Sequence, residues 1–258
     1  MIVSTHSIIF SGLESKRVTV QVSSNPGIPK IIISGLASRV VQESKERVIA
    51  CMKTLKIKLK SFRTVINLMP TDVAKTENYL ELAIVAALLQ SYQLIASSEQ
   101  DCYFGSVGLD GELCPVEKIF ALVASAKEEG FSRVFLPFAD LEKVKNINGI
   151  KLIGIKSVKQ LVARDYREVF TNAAQYSLKP ISNTNLLEQV ISNQLALRAL
   201  QIAAAGKHHL LLTGPPGYGK TMLARSIESI MPPLNYEESL QVAKRYSSVS
   251  YTHLTLPT

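Results

Sequence analysis

The sequence predicts an α/β protein in two parts: an α/β domain over residues 1–170 and a second unit starting at residue 185. Three observations predict it. Short apolar strand patterns alternate with helical ones through the first 170 residues. Residues 171–184 (TNAAQYSLKPISNT) lose all periodicity and read as a linker. Beyond them, the apolar run His209-Leu210-Leu211-Leu212 feeds a glycine-rich octet, GPPGYGKT, at 214–221.

Within the first part, Val18, Val20 and Val22 alternate with Thr19 and Gln21, as in a strand with one buried face. The turn-rich Asn25–Pro29 precedes Ile31-Ile32-Ile33, a buried strand. Ser38 is placed to cap a helix whose Val41, Val48, Ile49 and Met52 share one side. Val65–Leu68 is a short strand stopped by Pro70, and residues 79–95 form a very apolar helix central to the core. In FGSVGLDGELCPV (104–116), Asp110-Gly111 signals a hairpin with a type I′ turn. A helix from Val116 to Glu129 should end on Gly130, a left-handed cap. Val134–Leu136 and Leu152–Ile155 are further strands, and Ser157 opens a short helix.

In the second part, Leu186 to Leu200 carry a helical pattern that runs into Ala203–Gly206, and His209–Leu212 reads as a buried strand. The octet Gly214-Pro215-Pro216-Gly217-Tyr218-Gly219-Lys220-Thr221 then matches the phosphate-loop pattern GxxxxGK[ST] in full. Its glycines let backbone amides turn inward and cradle a phosphate, helped by the amino end of a helix over Lys220–Met231. Lys220 is expected between the β- and γ-phosphates of ATP, and the Thr221 hydroxyl on Mg²⁺. Met222 follows directly and completes the expected binding set. Hydrolysis also needs an acid at a strand end. Downstream only Glu228, Glu237 and Glu238 are acidic; none follows an apolar strand, and the last two open a helix after Pro232-Pro233. No catalytic residue is therefore expected in this stretch, and no ATP turnover.

The chain has 258 residues, 47% of them apolar and 19% charged, which suffices for a real core. Its net charge of +8 is concentrated: Lys45–Arg63 holds seven basic residues against one acid, Glu46. Lys53, Lys56, Lys58, Lys60 and Arg63 are thus candidate nucleic-acid contacts, the alternative being a solvated helix end and turn. The absence of tryptophan argues against a base-stacking surface. Cys51, Cys102 and Cys114 lack metal-ligand spacing and fit a reducing cytoplasm. His208 and His209 read as packing at the edge of the core, and Asp72 and Lys75 in PTDVAK as a candidate surface site. With no signal-peptide pattern and no run of 18 apolar residues, a cytoplasmic protein without a membrane partner is expected.

The stretch AAAGKHHLLLTGPPGYGKTMLARSIESIMPPLNYEESLQVAKRYSSV resembles the magnesium-chelatase-like AAA+ ATPases of the ComM (YifB) family. VTVQVSSNPGIPKIIISGLASRVVQESKERVIACMKT, VINLMPTDVAK and GSVGLDGELCPV are similar to the same family's N-terminal domain. The resemblance implies a Lon-protease-like α/β domain of the ribosomal-protein-S5 domain 2 type over 1–170, then the start of an AAA+ module over 185–249. It implies hexameric rings of self-associated subunits, ATP and Mg²⁺ as cofactors, and a link to DNA branch migration in natural transformation. Metal insertion, which the chelatase name suggests, and a non-catalytic nucleotide-binding module are the alternatives.

Three departures accompany the resemblance. Ser192-Asn193 stand where the family has Gly-Gln, residues that help to position the base. Tyr79 and Phe120 stand where Lon's serine and lysine would align, so peptidase activity is not expected. After Val249 the tail SYTHLTLPT (250–258) reads as non-native sequence, and a gene truncated soon after the phosphate loop is expected.

Overall fold

The structure, a computed structural model, describes residues 2–11, 14–28, 30–35, 38–57, 62–96, 98–166, 168–170, 194–232 and 234–248. The expected linker at 171–184, the Ser192-Asn193 pair, Lys58, Lys60 and the tail at 250–258 lie outside the described residues. Two compact units divide the chain between Ala174 and Gln175, with a second change between Ser239 and Leu240.

The first unit is built on strands β1 (Ile2–Ser11), β2 (Glu14–Pro26), β3 (Lys30–Ser34), β4 (Phe62–Met69), β5 (Asp101–Tyr103), β8 (Arg133–Pro137), β9 (Lys151–Ile155) and β10 (Glu168–Phe170). They form one sheet in the order β10-β9-β8-β5-β1-β2-β4-β3. The pairs β1–β2, β2–β4 and β9–β10 are antiparallel; β1–β5, β5–β8, β8–β9 and β3–β4 are parallel. The result is a mixed α/β sheet. Two short strands, β6 (Ser106–Val107) and β7 (Leu113–Cys114), form a separate hairpin.

Helix α1 (Arg39–Thr54) buries Val41, Val48, Cys51 and Met52 at helical spacing, and Ser38 is its N-cap residue, though its side chain makes no capping bond. Helix α2 (Glu81–Ser91) has every residue from Glu81 to Leu89 buried, which fits its apolar character on all sides. It packs on β1 and β2, and Thr5 Oγ1 donates to the Ala83 carbonyl at 2.8 Å. It ends four residues before the expected Ile95, because Gln93 adopts a φ of 62° that breaks the helix. Helix α3 (Ile119–Glu128) ends as expected: Gly130 has φ 83°, and Phe131 N–H donates to the Ala126 carbonyl at 3.0 Å. Helices α4 (Leu141–Val144) and α5 (Val158–Ala163) complete this unit.

The 104–116 hairpin forms, but its turn is not the two-residue type I′ expected. β6 and β7 enclose the five residues 108–112, and only Gly111 there has positive φ, at 86°. Asp110 instead accepts the Glu112 N–H on its carboxylate at 3.0 Å, closing the turn through its side chain.

The described residues of the second unit hold α6 (Gln194–Gly206), α7 (Lys220–Ser226) with a 3₁₀ turn at Ile227–Ser229, and the start of α8 (Tyr236–Ser248), which from Leu240 onward belongs to the first unit. The expected buried strand at His209–Leu212 is absent. Residues 208–215 are irregular, His208 and His209 are exposed, and Leu211 is 86% exposed. The physical reason is partnership: among the described residues of this unit no other strand exists to pair with the run. Asn235 and Glu238 open α8 with a reciprocal capping box, at 2.8 and 2.9 Å.

Candidate functional site: the glycine-rich loop

The loop at 214–219 turns on three glycines in conformations that side-chain-bearing residues rarely adopt: Gly214 (φ 152°), Gly217 (84°) and Gly219 (70°). Gly219 is the N-cap of α7, and the first helical bond runs from Leu223 N–H to its carbonyl at 2.9 Å. Among the described residues, no backbone bond takes up the N–H groups of Gly217, Tyr218, Gly219, Lys220, Thr221 and Met222. Such a run of free donors at a helix start favours an anion.

Lys220 is half-buried at the first helical position, and its ammonium donates to the carbonyls of Gly214 (2.8 Å) and Pro215. The cation is therefore held across the loop. Pro215, Pro216 and Gly217 are exposed, as are Tyr218 (78%), Thr221 and Met222 (48%). The octet and Met222 are thus gathered into one surface-open turn. The helix after it is shorter than expected, because α tightens to 3₁₀ at Ile227 and ends before Met231.

Among the described residues, none of the three downstream acids makes a hydrogen bond or ion pair to this turn. Glu228 is exposed in the 3₁₀ turn and Glu237 is exposed on α8. Glu238 is committed to the capping box and to an ion pair with Lys207, whose hydrogen bond holds its carboxyl below the usual range. Among the described residues no group of His, Cys, Asp and Glu could hold a metal ion. No described helix is long and apolar enough to cross a membrane.

In the first unit, the Asp72–Lys75 stretch gives a different outcome from the surface site expected. Lys75 is fully buried and donates to the Pro70 carbonyl, while its own carbonyl accepts Ser38 N–H at 3.0 Å. Burial lowers its pKa, with Asp72 opposing. Lys75 ties the loop after β4 to the start of α1. Tyr79 and Phe120, at the two Lon-aligned positions, are packed in the core, Tyr79 edge-on to Phe104 with centroids 6.1 Å apart.

A buried carboxylate that sequence reading missed is Glu81. It accepts Ser44 Oγ (2.6 Å), Arg47 Nε (2.9 Å) and Nη2, Ser106 Oγ (3.1 Å) and Val107 N–H (2.7 Å). It pins α1, α2 and the hairpin together. The only signal for it was an acid inside an otherwise apolar run.

The fold and loop define a mixed α/β unit followed by a glycine-turned loop that opens a helix with its backbone donors free. Two family profiles match: subunit ChlI of Mg-chelatase over residues 20–140, and magnesium chelatase, subunit ChlI, over residues 186–256. An uncharacterised protein of Mycobacterium tuberculosis is 31% identical over 245 residues, 93% of this chain and 48% of that protein. YifB of Escherichia coli is 30% identical over 253 residues (95% and 49%), and competence protein ComM of Haemophilus influenzae 29% over 252 (92% and 48%). A shorter match, 34% over 84 residues and 33% of this chain, covers 18% of the DNA repair protein RadA of Bacillus subtilis.

The chain belongs to the Mg-chelatase ChlI family, as a relative of YifB and ComM. It spans about half the length of the curated relatives it matches.

Proposed function

We propose that this chain is the nucleotide-binding front portion of an AAA+ ATPase that acts on DNA. The observation that carries the reading is the loop itself: six free backbone N–H groups from Gly217 to Met222, with the Lys220 ammonium held across the turn. In this reading Gly214 to Gly219 cradle the phosphates of ATP, Lys220 neutralises them, and Thr221 offers its hydroxyl to Mg²⁺. Met222 lines the same mouth. The names of two relatives, a competence protein and a DNA repair protein, support DNA as the partner. The parent protein would be a ring of identical subunits that remodels or branch-migrates DNA. Its first unit would be a Lon-protease-like domain of the S5 domain 2 type over 1–170, joined through 171–184 to an AAA+ module that starts at 185.

The loop's exposed neighbour, His209–Leu212, supports the view that the module needs further strands to be complete. Turnover by this chain alone is accordingly not expected. The profile descriptions favour metal insertion as a second reading, in which the same ATP site drives a different partner.

Thermal unfolding with and without Mg-ATP tests the binding step. At ligand one hundred times its Kd the expected stabilisation is about 2.7 kcal/mol, and Lys220→Ala should remove it. A stabilisation that is equal in wild type and variant would contradict the assignment.

A further inference from the structure

The sheet of the first unit has two faces of different chemistry. Val18, Val20 and Val22 of β2 and Thr64, Ile66 and Leu68 of β4 are buried, and the cross-strand partner of Val20 is Thr5, which bonds to α2. Alternation then sends Thr19, Gln21, Ser23 and Asn25 of β2, and Arg63, Val65, Asn67 and Met69 of β4, to the opposite face. The β3–β4 register adds Lys30, Ile32 and Ser34. Three rows cross these strands: Gln21–Asn67–Ser34, Asn25–Arg63–Lys30 and, between them, Ser23–Val65–Ile32.

The first row is a chain of polar side chains. Ser34 Oγ donates to Asn67 Oδ1 at 3.1 Å, and Asn67 Nδ2 to Gln21 Oε1 at 3.4 Å. The second row is exposed and carries two adjacent cations. Because α1 connects the parallel strands β3 and β4, its C-terminal end returns to the end of the sheet where Lys30 and Arg63 stand, bringing the exposed Lys53 and Lys56 with it. None of these four makes an ion pair among the described residues. No acid occurs in the sequence from Ser15 to Gln42 or from Arg47 to Thr71, and Glu43 and Glu46 are paired with Arg39 and Lys45.

We infer that this face and its basic end form a binding surface for the backbone of duplex DNA. Lys30 and Arg63 are adjacent cations on the exposed row, and neither makes an ion pair among the described residues, which suits a polyanion. The amide and hydroxyl row offers hydrogen bonds to phosphate and sugar, groups that position a protein without reading sequence. None of the eleven positions named above is aromatic, and the rings beside Thr19, His6 and Phe131, are buried against one another, so exposed bases find no stacking platform among these residues and duplex is favoured over single strand. The inference deepens the DNA reading above by giving it a surface; it does not depend on the nucleotide loop.

The test is fluorescence anisotropy of a labelled DNA duplex with the full chain across a salt series. The double variant Lys30→Ala/Arg63→Ala should bind about tenfold more weakly and shallow the log–log salt slope by about 1.8, for two lost phosphate contacts. Gln21→Ala/Asn67→Ala should weaken binding with the slope unchanged. Circular dichroism checks that each variant is folded. In hydrogen exchange, duplex should protect residues 62–69 of the wild type, a readout that needs no variant. Unchanged affinity and slope in the Lys30/Arg63 variant, absence of protection at 62–69, or no binding by wild type would each overturn the inference. Uptake of an ATP analogue, measured on the same samples, reports the loop separately, and Lys220→Ala should abolish it with the DNA slope intact.

Discussion

His6 should make the first unit acid-sensitive, and the size of the effect follows from its surroundings. The ring is 5% exposed on β1; Nδ1 lies 3.3 Å from Thr19 Oγ1, and Nε2 is buried with no hydrogen-bond partner among the described residues. Phe131 stands 5.8 Å away, centroid to centroid. Burial first, and the Arg17 guanidinium second, push its pKa from 6.5 down to about 4, against opposing pulls from Glu99 and Asp101. Above the unfolded pKa both states are neutral and nothing is lost. As pH falls below it, the unfolded chain takes up a proton that the native ring refuses, so stability declines until the folded pKa is reached. A shift of about 2.5 units at about 1.4 kcal/mol per unit gives a loss of about 3 kcal/mol between pH ~7.5 and ~4. Urea unfolding of wild type and His6→Leu at both pH values isolates the term, because other titrating groups cancel in the difference. Equal losses in the two proteins would refute the reasoning.

Further outcomes are expected elsewhere. Arg47→Ala leaves the Glu81 carboxylate buried with its cation removed and should destabilise the first unit by about 3–5 kcal/mol in denaturant unfolding. Asn235→Ala removes one half of the capping box and should cost about 1 kcal/mol, read as a lower melting temperature. Gly219→Val, at a φ of 70° that a β-branched residue resists, should weaken Mg-ATP binding at least as much as it weakens folding. Comparing its thermal shift with and without nucleotide separates the two.

Where burial is one-sided the strands and helices were legible in the sequence. The valines of β2 and the helical stripe of α1 show their periods directly, and both elements stand where the pattern put them. β1 was not legible: it is buried at Thr5 through Ile9 on both sides, so its polar and apolar residues follow no alternation. The short strands β5 and β10, of three residues each, have too few positions to show a period. The octet at 214–221 was legible because its glycines and lysine are dictated by local geometry. The strand before it failed for the opposite reason, since His209–Leu212 needs neighbours that the described residues do not supply. Lys75 misled through its type: a lysine in a turn suggests solvent, yet here the chain closes over it.

The most direct test is an equilibrium titration of the folded chain with a fluorescent ATP analogue, with and without magnesium. Saturable uptake that magnesium strengthens, and that Lys220→Ala abolishes, is the predicted result. Absence of saturable uptake by the wild type, or uptake indifferent to Lys220, would contradict it.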